Sequence, residues 1–332
     1  MQKLINDPDS FVDEVLEGIL AAHGDRLRVA GDRRAIVRLD APVKGKVGIA
    51  TGGGSGHLPV FLGYVGQGLA DGVAVGNIFA SPSAEQMLAV MQAVDGGRGV
   101  LQLFANYTGD AMNFGLAAEL AEAGGIPVAT VLSTDDVASA PKGEESRRRG
   151  IAGTFFLYKI AGASAEEGAD LQEVTMATER AAGNLRTMGV GLAPCTVPSS
   201  GLPTFDLPPG EMEIGIGTHG EPGVRRGPLE TADEITDDLI KTLLSDLPHN
   251  AGDRIDVLVN GLGATPLEEL YVLFRFASRR LKGEGLNIRR AWIGEYATSL
   301  EMAGASISLF LLDRDLERLL DAPASSPFFV NP

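Results

Sequence analysis

The sequence predicts an α/β protein built from two α/β domains with mostly parallel or mixed sheets. Three observations carry that expectation. Short apolar runs alternate with segments of helical spacing along the chain, the pattern of βαβ units. Glycine accounts for 43 of 332 residues, well above the ordinary share of about 7%, and clusters where the apolar runs end. A stretch without periodicity, Gly189 to Gly210, holds five prolines and divides the alternation in two. Residues 1–188 are therefore the expected N-terminal domain and residues 189–332 the expected C-terminal one.

Each element follows from local pattern. Phe11 to His23 places Phe11, Val15, Leu16, Ile19 and Leu20 on one helical face, with Asp9 or Ser10 available as N-cap. Lys46 to Ala50 reads as a short buried strand, and another apolar stretch runs from Val60 to Val65. Val73 to Phe79 is a second strand, followed by the turn Ala80–Ser83 and a helix from Ala84 to Val94. Gly99 to Phe104 is the third strand, a helix spans about Met112 to Glu122, and Ile126 to Leu132 is the fourth. The charged segment Lys142 to Gly150 is expected as a solvated loop, with a helical stretch from Ile151 to about Met188. Beyond the boundary come helices near Thr231–Leu244 and Pro266–Leu281, the latter with proline in its first turn. Strands are expected at Arg254–Asn260, Ile288–Gly294 and Ser306–Leu312.

Composition narrows the function. Apolar content of 44% and charged content of 22% are those of a soluble globular chain. No apolar segment is long enough to span a bilayer, and the opening MQKLINDPDSF lacks a secretory pattern, so the cytoplasm is the expected compartment and no membrane partner is expected. A net charge of −16 argues against a nucleic-acid surface, which needs clustered Lys and Arg. The single cysteine, Cys195, forms no internal disulfide and no thiolate zinc site within the chain.

In a mostly parallel sheet, ligands bind outside the carboxyl ends of the strands. Three polar loops, GGGSGH, ASPS and NYTGD, each follow a strand and are expected at that edge together. The first, Thr51 to Pro59, offers little side-chain bulk and suits a phosphate or a small polyol, with His57 its only titratable group. Gly215 to Gly220 matches GxGxxG, but Glu221-Pro222-Gly223 follows where a dinucleotide loop needs a helix, and GxxxxGK[ST] is absent. His57, Asp110 and His219 thus lie in glycine-dense loops and could meet in one cleft as acid, base and nucleophile. Metal ligation by the same trio stays open at this level, although no short ligand spacing joins them.

The motifs GGGSGH, GYVGQGLADGVAVGNIFASPS, NYTGDAMNFGLA, EMEIGIGTHGEPG, NGLGATPLEELY and EYATSLEMAGASISLFLLD resemble, in order and along nearly the whole chain, the substrate-binding subunit of dihydroxyacetone kinases. The resemblance implies a two-component kinase in which this subunit holds a small ketose and no cofactor. A separate nucleotide-binding subunit would supply ATP, or ADP, with magnesium. His219 would attack the ketone and hold it as a covalent hemiaminal. His57 and Asp110 would bind the hydroxyls and assist proton removal, while Gly54, Ser55 and Gly56 would fall in the backbone cradle. The metal set expected on this chain is none, and the resemblance implies a homodimer.

Two positions depart from the family pattern. Leu58 stands where Glu is common, and Ala105 stands where Lys is common. Losing a cation with three donors beside the acceptor site leaves room for a larger ketose such as erythrulose. A catalytically silent ketone sensor acting on a transcriptional regulator, and a stand-alone aldolase or isomerase, are the rival readings.

Overall fold

The computed structural model describes residues 3–332, and its first sheet opens on a hairpin that the sequence pattern did not predict. Helix α1 (Phe11–His23) leads into β1 (Leu27–Ala30) and β2 (Asp32–Arg38), which turn at Gly31 with φ +75°. Then follow β3 (Gly48–Ser55), β4 (Gly72–Ile78), α2 (Ala84–Val94), β5 (Val100–Ala105), α3 (Thr108–Ala123) and β6 (Val128–Ser133). The six strands form one sheet in the order β1-β2-β4-β3-β5-β6. Strands β4, β3, β5 and β6 run parallel, and the hairpin adds an antiparallel edge. The apolar stretch Val60–Val65 is no strand but holds a single 3₁₀ turn at Leu62–Tyr64.

The helical stretch expected from Ile151 to Met188 divides into α4 (Thr154–Glu166) and α5 (Leu171–Gly183), and its end belongs to strand β7 (Leu185–Ala193). A short buried apolar run does not distinguish strand from helix by periodicity, which is why the sequence misplaced it. The break between the helices is Gly168 at φ +84°, after which Asp170 caps α5. The boundary expected between residues 188 and 189 falls inside β7.

Next come β8 (Glu211–Ile214), β9 (Arg225–Pro228), α6 (Ala232–Asp246), β10 (Arg254–Gly261), α7 (Leu267–Gly283), β11 (Asn287–Gly294) and β12 (Ala303–Leu312). A second six-stranded sheet has the order β11-β10-β12-β7-β8-β9, antiparallel except at β10–β11. Helix α8 (Arg314–Asp321) and the pair β13 (Ala324–Ser325) and β14 (Val330–Asn331) return to the first half, where Ser325 bridges Gln67 and Ser326 Oγ donates to Gly63 O at 2.6 Å.

The layers explain the composition. Helices α2 and α3 cover one face of the first sheet through Val90, Met91, Val94 and Phe114. Leu239, Leu243, Leu270 and Leu273, on α6 and α7, cover the outer face of the second. Between the sheets lies α4, buried at every residue from Thr154 to Ala165, as a helix apolar on all sides should be. Phe156 meets Trp292 and Phe310 of the second sheet at centroid distances of 6.0 and 5.0 Å, while α4 also packs on β3 and β5 of the first. Gly162 permits this approach, because a Cβ there would lie 2.3 Å from Leu69 N. Lys159, also inside, donates to Leu319 O at 2.9 Å, and burial lowers its pKa to about 8.

The charged segment 142–150 is solvated as expected through Arg147 and departs at its end, where Arg148 is 1% exposed and grips Asp246 with both terminal nitrogens at 2.9 and 2.6 Å. The partner carboxylate sits at the end of α6, distant in sequence, so local charge density alone gave the wrong environment. Among the described residues, no helix is long and apolar enough to cross a membrane.

Candidate functional site

The run expected as a loop from Thr51 is strand as far as Ser55: Gly52, Gly53 and Gly54 extend β3, and the chain leaves it at Gly56, at the carboxyl edge of the parallel strands, beside the loop after β4 and the start of α3. Close approach forces its glycines: a Cβ on Gly54 would stand 2.7 Å from Ala80 N, and Gly56 has φ +102°. The loop is stitched to the β11–β12 connection of the second sheet. Leu300 N donates to Gly56 O at 2.7 Å, Thr298 Oγ1 to Leu58 O at 2.9 Å, and His57 Nδ1 lies 2.7 Å from Thr298 O. His57 is thereby placed at the junction of the two sheets.

His219 comes from the opposite side, on the loop that joins the antiparallel strands β8 and β9. No helix follows it, in keeping with the rejection of GxGxxG as a dinucleotide loop. Its Nε2 lies 3.0 Å from His57 Nε2, its Nδ1 lies 3.0 Å from Glu221 Oε1, and its backbone N–H donates to Glu221 Oε2 at 2.9 Å. Tyr107 packs edge-on to the ring at 4.7 Å and its hydroxyl pairs with Thr218 Oγ1 at 2.9 Å. Phe79, from the loop after β4, lies 4.9 Å from the His57 ring and 5.2 Å from the His219 ring.

Asp110 sits in the first turn of α3, where the helix N-terminus favours a carboxylate. It is 6% exposed, and its Oδ1 is buried without a hydrogen-bond partner among the described residues. Burial raises its pKa to about 6, against the opposing pull of Ser81 and His219. Burial, reinforced by His219, pushes the His57 pKa down to about 3, so this ring is neutral. Burial also works on Glu221, but its hydrogen bond to His219 and the nearby charges outweigh it and hold the carboxyl at about 2.

Gly54, His57, Asp110 and His219 line one cavity of about 30 Å³, together with Ala105 and Thr154. The three loops expected at one sheet edge do converge there, with Ser81 of the second beside Asp110. Ser55 and Gly56 do not line that cavity: Ser55 Oγ donates to Gly76 O at 2.7 Å, and both residues line an adjoining apolar pocket of about 210 Å³ beneath α1 that shares Gly54 and His57 with it. Leu58 faces that apolar pocket too, so of the two departures only Ala105 touches the histidine cavity. Sequence reasoning missed Tyr107, Thr218, Glu221, Arg149 and Thr298. Glu221, two residues after His219, was the one with a visible signal. Among the described residues no group of three or more His, Cys, Asp or Glu side chains could hold a metal ion.

Two stacked α/β units that close a cavity lined by two histidines and an aspartate at their junction define the class of protein. The particular family is equally plain: a family model described as the Dak1 domain matches residues 17–328, and the chain belongs to that family. The L-erythrulose kinase of Pectobacterium atrosepticum is 46% identical over 334 residues, covering 99% of this chain and 56% of that protein. The chain thus spans little more than half the length of this relative. The dihydroxyacetone-binding subunit DhaK of PTS-dependent dihydroxyacetone kinase 2 from Listeria innocua is 44% identical, covering 99% of each chain. Among solved structures, the dihydroxyacetone kinase operon co-activator Dha-DhaQ superposes with a TM-score of 0.88 at 32% identity, covering 95% of this chain and 97% of that one.

Proposed function

We propose that this chain is the ketose-binding subunit of a two-component dihydroxyacetone-type kinase, a phosphotransferase with an alcohol group as acceptor. The observation that carries the reading is one cavity lined by two imidazoles in contact and a carboxylate whose buried oxygen lacks a partner among the described residues. His219 captures the ketone carbon as a hemiaminal. The unpartnered Asp110 oxygen accepts the hydrogen of the terminal hydroxyl to be phosphorylated, and a pKa near 6 leaves it ionised yet basic at neutral pH. Covalent capture discriminates by chemistry: a polyol without a carbonyl has no carbon for His219 to attack. Gly54 brings the backbone close to the ligand. ATP, or ADP, with magnesium belongs to a nucleotide-binding partner subunit, and this subunit works as a cytoplasmic homodimer.

Ala105 favours a four-carbon ketose such as erythrulose alongside dihydroxyacetone. It is 4% exposed at the end of β5 and lines the cavity, where a longer side chain would take up space and add charge. The name of the Pectobacterium relative supports this substrate class. The similarity to a co-activator supports a ketone-sensing reading, but the stronger identity to kinase chains and the free oxygen of Asp110 favour phosphoryl transfer.

Intact mass spectrometry with a panel of short ketoses, after trapping by reduction or rapid denaturation, tests the capture. Dihydroxyacetone and erythrulose are expected to add one ketose mass to the wild type, and glycerol none. Retention of the increment in His219→Ala would refute the assignment. Phosphorylation with the cognate nucleotide-binding subunit tests the rest, and absence of product from every ketose would overturn the kinase reading.

A further inference from the structure

A second cavity stands beside the histidines, and its chemistry is different. About 210 Å³ lies beneath α1, walled by Val12, Val15 and Leu16 of the helix, by Val73 and Val75 of β4, and by Leu300. Among the described residues that line it there is no Lys, Arg, Asp or Glu. Its polar side chains are already committed inside the protein. Ser55 Oγ donates to Gly76 O at 2.7 Å, Thr298 Oγ1 to Leu58 O at 2.9 Å, and His57 Nδ1 meets Thr298 O at 2.7 Å. Water needs two or more polar partners to settle in a cavity, whereas an apolar cavity of about 150 Å³ already suffices for benzene. The space therefore suits a hydrocarbon group, and a charged or polyhydroxylated molecule would lose its hydration there without replacement.

The partition between the two cavities is thin: Gly54, His57, Val60, Phe61 and Thr298 line both. Phe61 is its largest apolar member. The ring stands edge-on to His57 at a centroid distance of 6.1 Å, and the backbone is held at φ +67°, a conformation that a bulky side chain rarely adopts. Gly53 makes room for that ring, because a Cβ there would collide with it. One glycine of the GGGSGH run thus serves the partition rather than a ligand. We propose that the cavity beneath α1 is an effector site for a small uncharged hydrocarbon molecule, of the size of one aromatic ring or a chain of about six carbons, and that its occupant acts on the histidine cavity through Phe61. The site stands whether or not His219 captures a ketone. Where a ketose does bind, linkage makes the effect mutual: the occupant changes ketose affinity by the factor by which ketose changes the occupant's.

Benzene is the probe, titrated into the methyl-labelled full-length chain without ketose. It is expected to shift the methyl signals of Val12, Leu16, Val73 and Val75, and to leave in place those of Leu239, Leu243 and Leu270 on the outer face of the second sheet. The His57 ring signals are expected to move with the same concentration dependence as the four valine and leucine signals. Absence of saturable shifts at those four overturns the site, and a His57 ring that stays still while they move overturns the coupling. Glycerol at equal concentration is expected to shift none of them; equal shifts with glycerol overturn the ligand class. Two variants outside the histidine cavity bracket the volume. Val15→Trp, at a half-buried position of α1, is expected to abolish the benzene shifts by filling the space. Leu16→Ala is expected to raise affinity for naphthalene relative to benzene by about tenfold or more. Benzene shifts that persist in the first variant, or an unchanged ratio in the second, overturn the proposal. If either variant folds poorly, the wild-type titration alone decides.

Discussion

The two loops that meet in the cavity deliver the same side chain to opposite ends of one 3.0 Å contact, yet they make two different imidazoles of it. The glycine-rich loop after β3 seats His57 at 5% exposure against a backbone carbonyl, and that setting holds the ring neutral. The loop between β8 and β9 leaves His219 more open and sets a carboxylate behind it. What stands at the far nitrogen decides the role of the near one. A backbone carbonyl stands behind His57 and a carboxylate behind His219, the difference that the proposed capture by His219 would use.

Removing each imidazole in turn breaks this comparison most sharply. His219→Ala is expected to lose the ketose adduct entirely, whereas His57→Ala keeps the mass increment but forms it about 10²-fold more slowly. An adduct on the first variant, or none on the second, reverses the roles. Asp110→Asn then separates capture from transfer: turnover with the partner subunit should fall by about 10²–10⁴-fold while the increment persists. Wild-type turnover should rise as pH passes through about 6, because the carboxyl accepts a proton only once ionised, and residual turnover of the variant should lack that inflection.

The same substitution sharpens the contrast in stability. A carboxyl whose folded pKa is raised destabilises the fold once ionised, by an amount that grows between the unfolded value of about 4 and the folded value of about 6. Asp110→Asn should therefore unfold at higher temperature than wild type at pH 8, by at most about 3 kcal/mol in stability, with the two curves converging near pH 4. Coincident curves at pH 8 would mean that the site does not disfavour the ionised carboxyl. The smallest expected effect is at Ala105. Ala105→Lys should shift the ratio of activities on three- and four-carbon ketoses toward dihydroxyacetone by about tenfold, worth about 1.4 kcal/mol. An unchanged or reversed ratio in a competition assay counts against Ala105 as the determinant.

Much of the first sheet was legible, because buried parallel strands read as apolar runs and glycine marks their ends. The β1–β2 hairpin was overlooked although Gly31-Asp32 between apolar runs is a turn signal. Strand β7 was absorbed into a helix because a fully buried run shows no face. In the site, His57, Asp110 and His219 stood out by type and setting. Arg149 did not, since Arg147-Arg148-Arg149 reads as one solvated cluster until Asp246 and Asp136 take two of the three. Thr298 had no signal at all: it acts through its backbone oxygen.

By itself the sequence determined the α/β class and singled out His57, Asp110 and His219 as the candidate side chains, because periodicity and residue type are local properties. Only the tertiary structure decided that Ser55, Gly56 and Leu58 face an apolar pocket while Ala105 faces the histidines. It alone set the tautomer of His57, for a histidine's proton follows the partner of its other nitrogen, and that partner is 241 positions away, on the loop of another sheet.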